Sequence, residues 1–374
     1  MRGTYGGFGS PVRRSGTLEL IALVALAACS PTPTVVPNSA TPSLVNPSAS
    51  PTSSADTGIA SVEPTPTKPT QPPDQPTSVA VANAIAFWTP SRGIAGGADT
   101  HGAGEVSLTS DGGRTWSVKK PGLPPIGFVT VVGSSDAWAI TTCTRDDYWG
   151  ACAIWRSLDA GSSWTKVRNS ELQAISFVDA LHGWGVLDTE PTAGGASTSG
   201  VFRTADGGRT WSEISGKPCG QIGGPTGVSF VTAERGWVTC LGDAGTGMAA
   251  KGVLETRDAG RTWTIESAVY MGDQAAIGSI AASDYLIGLS MRPSGVGMAW
   301  EGRGSTIRTA DGGRTWVGMP PGSFDVAIPL GGWALTDLDW YYVIWDGDLQ
   351  DTALWATHDG GLHWSSISAV PPGV

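Results

Sequence analysis

The stretch Thr204-Ala-Asp206-Gly-Gly208-Arg-Thr210-Trp211 decides the fold, because five close copies of it occur elsewhere in the chain. We call the six stretches the Asp motifs: Thr109–Trp116, Ser157–Trp164, Thr204–Trp211, Thr256–Trp263, Thr309–Trp316 and Thr357–Trp364. Their aspartates, Asp111, Asp159, Asp206, Asp258, Asp311 and Asp359, are separated by 48, 47, 52, 53 and 48 residues. A repeat of that length is typical of one four-stranded blade of a β-propeller.

The residue types of an Asp motif predict a tight turn. The Asp carboxylate can accept hydrogen bonds from the backbone N–H groups that follow it. The glycines supply positive φ angles that other residues resist, and the final Trp buries a large apolar side chain on the strand that leaves the turn. We therefore expect the six aspartates to have a structural role.

A second pattern keeps the same spacing as the Asp motifs. Strand-like runs such as Ile175–Val178 are followed by a turn and by a run that begins with Gly-Trp, at Gly183-Trp184, Gly236-Trp237 and Gly332-Trp333. A third run enters the Asp motif and a fourth leaves it. Short alternating runs separated by Gly, Pro and Asp are strand and hairpin signals. Each repeat thus predicts strands A to D, with Gly-Trp on strand B and the Asp motif at the C–D turn.

These Gly-Trp strands and Asp motifs resemble the repeats of the Asp-box, or BNR-repeat, β-propellers over about residues 84–374. That family includes sialidases, xyloglucan-cleaving glycosidases, sortilin-type receptors and the photosystem II assembly-factor propellers, and the pattern is most similar to the last group. The resemblance implies a β-propeller and, by analogy, a role in assembling a membrane complex. The fold itself does not fix the function, because one fold hosts many functions.

We predict an all-β fold in which residues 79–374 form a six-bladed β-propeller of four-stranded antiparallel blades. The six Asp motifs give six complete units, and about one strand follows the last of them. The assembly-factor propellers have seven blades, so seven is the alternative. It would require the Thr77–Ala82 segment to contribute to an additional blade.

The first 28 residues predict an export signal. Arg13 and Arg14 precede the apolar segment Leu20–Ala28, which is too short to span a bilayer and is typical of a secretory signal peptide. The segment runs into Leu26-Ala27-Ala28-Cys29, which resembles a bacterial lipobox. The resemblance implies cleavage before Cys29 and lipidation of its thiol, and an ordinary signal peptide with an incidental Cys is the alternative. We expect a protein anchored by lipid to the extracytoplasmic face of the cell membrane.

Residues 29–78 begin at this cysteine and predict a disordered linker. Residues 30–78 hold 12 of the 26 prolines, many Ser and Thr, and no aromatic residue. Such a segment cannot bury enough apolar surface to offset the entropy of ordering it. A Pro-rich chain is extended and semi-rigid, so the linker would hold the propeller away from the lipid surface.

Four cysteines follow Cys29. An even number in an exported chain favours disulfides. We pair Cys143 with Cys152 and Cys219 with Cys240, because each pair is close in sequence. Zinc is the alternative, but neither pair has C-x-x-C spacing or a neighbouring His. We therefore predict two disulfides and no metal site.

The composition argues against several other functions. The chain has 23 Lys and Arg against 33 Asp and Glu, for a net charge of -10, and nucleic-acid binding needs clustered positive charge. No apolar run approaches the roughly 20 residues of a transmembrane helix. No G-x-S-x-G, H-E-x-x-H or G-x-G-x-x-G motif is present, and we predict no cofactor.

Candidate binding residues lie in the predicted B–C loops. In an antiparallel blade the A–B and C–D turns share one face and the B–C loops lie on the other, and functional residues concentrate on loops held by a rigid scaffold. Aromatic side chains beside carboxylates suit sugar rings or a partner's hydrophobic and basic patch. The candidates are Asp147, Tyr148 and Trp149 in blade 2, Trp300 in blade 5, and Asp339, Trp340, Tyr341, Tyr342 and Trp345 in blade 6. The alternative is that these loops pack on each other and cap the channel.

We predict a binding or scaffolding module for an envelope protein or a glycan, with no catalytic residue. A glycoside hydrolase of the sialidase or xyloglucanase type is the alternative. Such an enzyme needs two carboxylates, which Asp147, Asp339 and Glu301 could supply. However, the Arg-Ile-Pro motif of sialidases is missing, the nearest match being Met291-Arg292-Pro293, and no Tyr–Glu nucleophile pair is recognisable.

Overall fold

The structure is a computed structural model that describes residues 81–99, 101–145, 148–188, 199–216, 218–245, 248–271, 275–319, 327–346 and 351–369. The chain divides into one unit of Met1–Thr70 and another of Gln71–Val374, and all described residues belong to the second. The predicted signal peptide, the predicted lipidation site Cys29 and the predicted linker lie outside the described residues.

The described residues form 24 strands in six sheets, and no helix is found among them. Blade 1 consists of β1 (Val81–Phe87), β2 (Gly93–Ala98), β3 (Gly104–Thr109) and β4 (Ser117–Leu123). Blade 2 consists of β5 (Ile126–Val132), β6 (Asp136–Arg145), β7 (Tyr148–Ser157) and β8 (Thr165–Asn169). Blade 3 consists of β9 (Ala174–Phe177), β10 (Gly183–Asp188), β11 (Ser199–Thr204) and β12 (Ser212–Gly216). Blade 4 consists of β13 (Gly224–Phe230), β14 (Gly236–Gly245), β15 (Met248–Thr256) and β16 (Thr264–Val269). Blade 5 consists of β17 (Leu286–Met291), β18 (Gly297–Glu301), β19 (Thr306–Thr309) and β20 (Val317–Gly318). Blade 6 consists of β21 (Ala327–Ala334), β22 (Trp340–Asp346), β23 (Asp351–Thr357) and β24 (Ser365–Ala369). Each blade consists of four consecutive antiparallel strands, A to D, so the predicted six-bladed β-propeller is confirmed.

Strand A is the innermost strand of each blade. Residues of β1, β5, β9, β13, β17 and β21 line a central channel of about 200 Å³, and neighbouring A strands contact each other around the ring. Blade 1 closes on blade 6, where the ring centroids of Phe87 and Tyr341 stack 3.5 Å apart. Beside them, Trp333 Nε1 donates to the Phe87 carbonyl oxygen at 2.9 Å. Six blades therefore complete the ring, and the seven-bladed alternative is excluded.

The Gly-Trp pair of strand B has a packing explanation. Phe177 on strand A of blade 3 lies opposite Gly183 on strand B, and a Cβ built on Gly183 would lie 2.6 Å from the Phe177 ring. The next residue, Trp184, reaches the following blade and stacks on Phe230 at 3.9 Å. Trp138 of blade 2 stacks on Phe177 in the same way, also at 3.9 Å. The Gly thus makes room for a Phe within the blade, and the Trp joins one blade to the next.

In blade 6 the large residue of the cross-strand Phe–Gly pair lies on strand B and the small one on strand A. This exchange makes one sequence prediction wrong. Ala334 stands where blades 1, 3 and 4 have Phe, and Trp340 stands opposite it where they have Gly. Tyr341 takes the position of the stacking Trp. Gly332-Trp333, predicted for strand B, therefore lies on strand A, and strand B of this blade is β22.

The Asp206 carboxylate closes its C–D turn with three hydrogen bonds. Its Oδ1 accepts from the Thr204 hydroxyl at 2.8 Å and from the Thr210 N–H at 2.9 Å, and its Oδ2 accepts from the Thr210 hydroxyl at 2.6 Å. Gly208 has a φ of +94°, and its N–H donates to Thr204 Oγ1 at 3.0 Å. Trp211 Nε1 then donates to the Gly208 carbonyl oxygen at 3.0 Å.

The other five motifs form the same turn. The backbone N–H of the residue four positions on donates to the carboxylates of Asp111, Asp159, Asp258, Asp311 and Asp359. A backbone hydrogen bond also joins each C–D turn to the A–B turn of its own blade, as from the Gly207 N–H to the Leu181 carbonyl oxygen at 2.9 Å. Both kinds of turn therefore lie on one face, which we call the motif face, and the B–C turns lie on the opposite face.

Of the two predicted disulfides, the structure contains the one between Cys219 and Cys240, whose Cα atoms are 5.6 Å apart. Cys143 and Cys152 are thiols, which corrects the other pairing. Cys143 lies opposite Gly150 in the β6–β7 ladder, and the register shifts at Thr141. The two side chains are therefore not directly opposed across the strands, as a cross-strand bridge would require.

The hydrogen bonds to Asp206 predict a pH dependence of stability. They lower the pKa of this carboxyl to about 2, chiefly through the Thr210 hydroxyl. Because the pKa is lower in the folded state than in the unfolded state, these bonds contribute fully above about pH 4 and are lost as the pH falls towards 2. Asn would place an amide NH2 where one carboxylate oxygen accepts from the Thr210 hydroxyl. We therefore expect Asp206→Asn to cost about 0.5–1.5 kcal/mol at pH 7, as for one lost hydrogen bond, and much less at pH 2.

Chemical unfolding at pH 7, 4 and 2, followed by tryptophan fluorescence, measures this difference. Glu234→Gln, at an exposed position in the A–B turn of blade 4, is the control and should change the free energy of unfolding little at any pH. A deficit of Asp206→Asn that is the same at pH 7 and pH 2 would contradict the prediction.

Candidate functional site

A cavity of about 480 Å³ opens between blades 5 and 6, and we call it the recess. Its described lining comes from the blade 4–5 connection, from blade 5 and from blade 6. The lining residues are Ala281, Ser283, Glu301, Arg303, Gly304, Ser305, Thr306, Ile307, Trp316, Gly318, Met319, Tyr342 and Trp364. The volume is within the roughly 300–1,000 Å³ of small-molecule sites. The recess is therefore large enough to hold a ligand.

The recess exists because the B–C hairpin of blade 5 is short. Strands β18 and β19 have five and four residues, whereas β14 and β15 of blade 4 have ten and nine, and β22 and β23 of blade 6 have seven each. At about 3.3 Å per residue, the neighbouring strands are roughly 7–16 Å longer. The turn that follows Glu301 therefore extends less far towards the B–C face than the hairpins of blades 4 and 6.

A buried ion pair lies at the blade 4 side of the recess. The Lys251 ammonium on β15 donates to the Glu301 carboxylate and to the backbone carbonyl of Ser283. Lys251 is fully buried and Glu301 is 4% exposed. Burial raises the pKa of the Glu301 carboxyl, and the Lys251 ammonium opposes this rise. A lysine and a carboxylate this deeply buried require each other, because either alone would be an unpaired buried charge.

Asp284 holds the backbone that supplies the carbonyl to Lys251. It is 5% exposed and adopts a φ of +72°, which few residues other than glycine adopt. Its Oδ1 accepts from the Tyr285 N–H at 2.7 Å, and its Oδ2 accepts from the Ser305 N–H at 3.4 Å. The Asp284 carboxylate thus ties the blade 4–5 connection to the short B–C turn of blade 5.

The blade 6 side of the recess contains a buried phenol. Tyr342 on β22 is 1% exposed, and its oxygen accepts a hydrogen bond from the Thr306 hydroxyl at 2.8 Å. Burial strongly raises the pKa of Tyr342, so the phenol is neutral at physiological pH. This wall of the recess is therefore uncharged.

Trp364, the last residue of the sixth Asp motif, also lines the recess. In the other five motifs the equivalent Trp donates its Nε1 hydrogen bond to the motif glycine. Trp364 makes no such bond within the described part of the chain. Trp340, which replaces the Gly of blades 1, 3 and 4, instead lies against Gly361, and its ring is 2.8 Å from a Cβ built on that glycine. The Trp340 Nε1 donates to the Thr336 carbonyl oxygen at 3.0 Å. The Trp364 ring contacts Tyr342, with their centroids 5.9 Å apart.

The recess combines aromatic walls with few charges. Trp316, Trp364 and Tyr342 supply aromatic surface, Met319 adds a thioether, and hydroxyl groups come from the polar residues between them. Glu301 is the one carboxylate among the described lining residues, and Lys251 compensates its charge. This arrangement suits the binding of a ligand by contact and hydrogen bonding.

The sequence predicted that the blade 6 candidates lie in a B–C loop, but most of them do not. Trp340 and Tyr341 are 1% exposed, and they lie on β22 because the Gly-Trp pattern misplaced strand B. Asp339 belongs to the A–B turn, on the motif face, where it accepts from Thr336 and pairs with the ring of His358. These three side chains are thus not placed to bind a partner on the B–C face.

The remaining candidates are spread over three blades. Tyr342 lines the recess, and Trp345 is half-buried near the B–C end of β22. Trp300 lies on β18, 7% exposed, against the central channel. Tyr148 and Trp149 begin β7, at the B–C end of blade 2, and Asp147 lies outside the described residues. One predicted candidate, Tyr342, therefore belongs to the recess.

Lys251 and Trp364 were not identified as site residues from the sequence, and Glu301 was considered only as a possible catalytic carboxylate of a glycoside hydrolase. Two signals pointed to them. Lys251 is the one charged residue in the run Ala249–Leu254, and a lone charge on a buried strand needs a partner. The sixth motif ends in Leu-His-Trp instead of Arg-Thr-Trp, which marks it as different from the first, third, fourth and fifth.

Comparison with solved structures finds propellers at low sequence identity. YCF48 bound to a D1 peptide is 15% identical, with a TM-score of 0.44 over 78% of this chain and 85% of that chain. YCF48 from Cyanidioschyzon merolae is 15% identical, with a TM-score of 0.43 over 81% and 88%. A GH74 xyloglucanase from Xanthomonas campestris is 15% identical, with a TM-score of 0.48 over 77% of this chain and 47% of that chain. At these values the similarities carry no conclusion about function.

No protein-family model matches the chain, and the comparison with curated proteins gave no match. Within the described ranges no group of three or more His, Cys, Asp or Glu side chains is arranged to hold a metal ion. The same ranges contain no helix that is long and apolar enough to cross a membrane.

The buried ion pair predicts an asymmetric response to mutation. Lys251→Met should cost about 3–5 kcal/mol, because it leaves the Glu301 carboxylate buried without its partner. Lys251→Met combined with Glu301→Leu should recover most of that loss, since a buried pair can often be replaced by apolar residues at little cost. Urea unfolding of both variants measures the difference, with Lys166→Met, at an exposed position on β8, as the control. If the double variant were less stable than Lys251→Met, the ion pair would not be the source of the effect.

Proposed function

We propose that this chain is an exported, lipid-anchored β-propeller of the Asp-box type that binds an envelope protein or a glycan without converting it. The signal-like residues before Cys29 and the Pro-rich residues after it support export and tethering. The repeated Asp motifs support the assignment to the Asp-box type. A binding module at the membrane surface would suit a role in assembling an envelope complex.

The observation that carries the binding proposal is the recess. It is bounded by strands of blades 5 and 6 and by the blade 4–5 connection. Its aromatic walls, and an indole N–H that has no partner among the described residues, are groups that recognise ligands by contact. Trp364 is central here, because it is the motif Trp whose Nε1 is not used to close its own turn. Binding through a preformed surface also requires no movement of the propeller.

The alternative of a glycoside hydrolase requires two carboxylates that flank the bond to be broken. Among the described lining residues the recess presents Glu301 alone. Glu301 Oε1 accepts from the Lys251 ammonium, so this oxygen is committed to an ion pair. The geometry of the recess therefore favours binding over hydrolysis.

Removal of the proposed lipidation site tests the anchor. Cys29→Ala should abolish incorporation of an alkyne-labelled fatty acid and should move the protein from the membrane fraction to the soluble fraction, because the acyl chains supply the membrane affinity. Cys143→Ala, which also removes one thiol, is the matched control and should stay labelled and membrane-bound. Labelling and membrane retention of Cys29→Ala would show that the anchor lies elsewhere.

Binding and turnover are tested together on the full-length protein. Envelope polysaccharide and detergent-solubilised envelope proteins are prepared from the source cells, and binding of each to the protein is measured by biolayer interferometry. We expect one preparation to bind, and Trp364→Ala to weaken this binding about ten-fold or more, as for a central aromatic contact. Trp164→Ala, at the equivalent position of blade 2, should bind normally.

The same protein is screened for hydrolysis of chromogenic glycosides and sialosides, and no turnover is expected. Turnover of any of these substrates would overturn the binding proposal, and its loss in a Glu301→Gln variant that near-UV circular dichroism shows to be folded would assign it to the recess. Absence of binding to every envelope preparation would also count against the binding proposal.

A further inference from the structure

We propose that the recess binds a neutral sugar ring, with one face of the ring stacked on Trp364 and its hydroxyl groups bonded to the Trp364 Nε1 and to Glu301. This inference rests on the proposed binding function and names the ligand class of the same site. The observations that carry it are the amphipathic lining, the ion pair that compensates Glu301 and the two-residue edge strand.

The lining of the recess matches the two surfaces of a sugar ring. A pyranose presents C–H groups on its faces and hydroxyl groups around its edge, so it needs an aromatic surface beside hydrogen-bonding groups. Trp364 offers both a ring face and an N–H donor that has no partner within the described ranges. Glu301, Ser283 and Ser305 add oxygen atoms around the same cavity.

The charge of the recess favours a neutral ligand. The Lys251 ammonium compensates the Glu301 carboxylate inside the protein. The buried Asp284 carboxylate behind the lining accepts two backbone N–H bonds, and its negative charge acts on Glu301 and Tyr342 and disfavours an anionic ligand. Arg303 is exposed, with its guanidinium 5.2 Å from the centroid of the Tyr285 ring. An anionic ligand in the cavity would lose hydration without gaining a buried counter-charge.

The edge strand next to the recess, β20, has only two residues, which argues against a peptide that adds a strand. Ile307 and Arg308 on β19 pair with β20, and the Met319 N–H donates to the Thr306 carbonyl oxygen at 2.9 Å. Strand addition needs a free row of backbone groups at a sheet edge. The cavity therefore offers side-chain contacts, which suit a compact ring.

The packing and hydrogen bonds around the recess hold Glu301 and Trp364 in place. The positive φ of Asp284 sets the carbonyls that hold Lys251, and Lys251 fixes Glu301. Trp340 takes the space beside Gly361, and the ring of Trp364 lies along the cavity. A site held in this way loses little conformational entropy when a ligand binds.

The test uses the full-length protein in a sugar-free detergent. Saturation-transfer NMR and calorimetry measure binding of neutral probes (cellobiose, maltose, mannobiose, xylobiose and N,N′-diacetylchitobiose) and of charged probes (sialyllactose and glucuronic acid). We expect at least one neutral disaccharide to bind. Trp364→Ala should weaken that binding about ten-fold or more, whereas Trp364→Phe, which keeps an aromatic ring and loses the N–H donor, should weaken it less. Trp164→Ala should bind as the unchanged protein does.

The outcomes separate this inference from the proposed function. If no neutral probe binds, if the charged probes bind more tightly, or if Trp364→Ala binds normally, the sugar site is wrong, while Trp364-dependent binding of envelope protein would still support the binding function. A proline-rich peptide that displaces the bound sugar probe and binds more tightly would also overturn it. Near-UV circular dichroism checks that Trp364→Ala is folded, and Trp364→Phe keeps the test decisive if it is not.

Discussion

The structure depends on contacts between strand B of one blade and strand A of the next, and at three of the six junctions the contact is an aromatic stack. A side chain on strand B reaches the following blade and stacks on an aromatic ring of its strand A, as Trp184 does on Phe230 and Tyr341 does on Phe87. In blades 1, 3 and 4 the residue before it on strand B is a Gly, which leaves room for the Phe of the same blade's strand A. Aromatic pairs of this kind are worth about 0.5–1.5 kcal/mol beyond the area they bury, and the one at Tyr341 also closes the ring.

The recess is a consequence of how blades 5 and 6 depart from that rule. Blade 6 places Trp340 where the small residue belongs and Ala334 where the Phe belongs, so the total volume is similar but the large ring comes from the other strand. Trp340 then packs against Gly361, and the motif Trp364 faces the cavity. The short B–C hairpin of blade 5 leaves the space into which Trp364 faces. The candidate binding site is therefore built from a local departure from the packing of blades 1, 3 and 4.

The Asp motifs and the recess differ in what stabilises them. Each motif carboxylate accepts hydrogen bonds from residues no more than four positions away, so the closing of the turn itself is local. The recess depends on the Lys251–Glu301 pair, whose partners are 50 residues apart and lie on different blades. Burial of such a pair gives little net stability but strongly penalises loss of one partner, which fixes the position of Glu301. This rigidity is what a preformed binding site requires.

The sequence by itself determined the number of blades, the position of each Asp turn and the strand order of most blades, because turns and strand periodicity arise from residues close in the chain. It also placed Tyr342 among the candidates. It misplaced Trp340 and Tyr341 in a loop, because Gly332-Trp333 imitates the strand B pattern and the exchanged pair Ala334–Trp340 is recognisable only across two strands. Tertiary structure alone decided that Lys251 meets Glu301 and that Trp364 faces a cavity, since these contacts join segments whose separation no local pattern encodes.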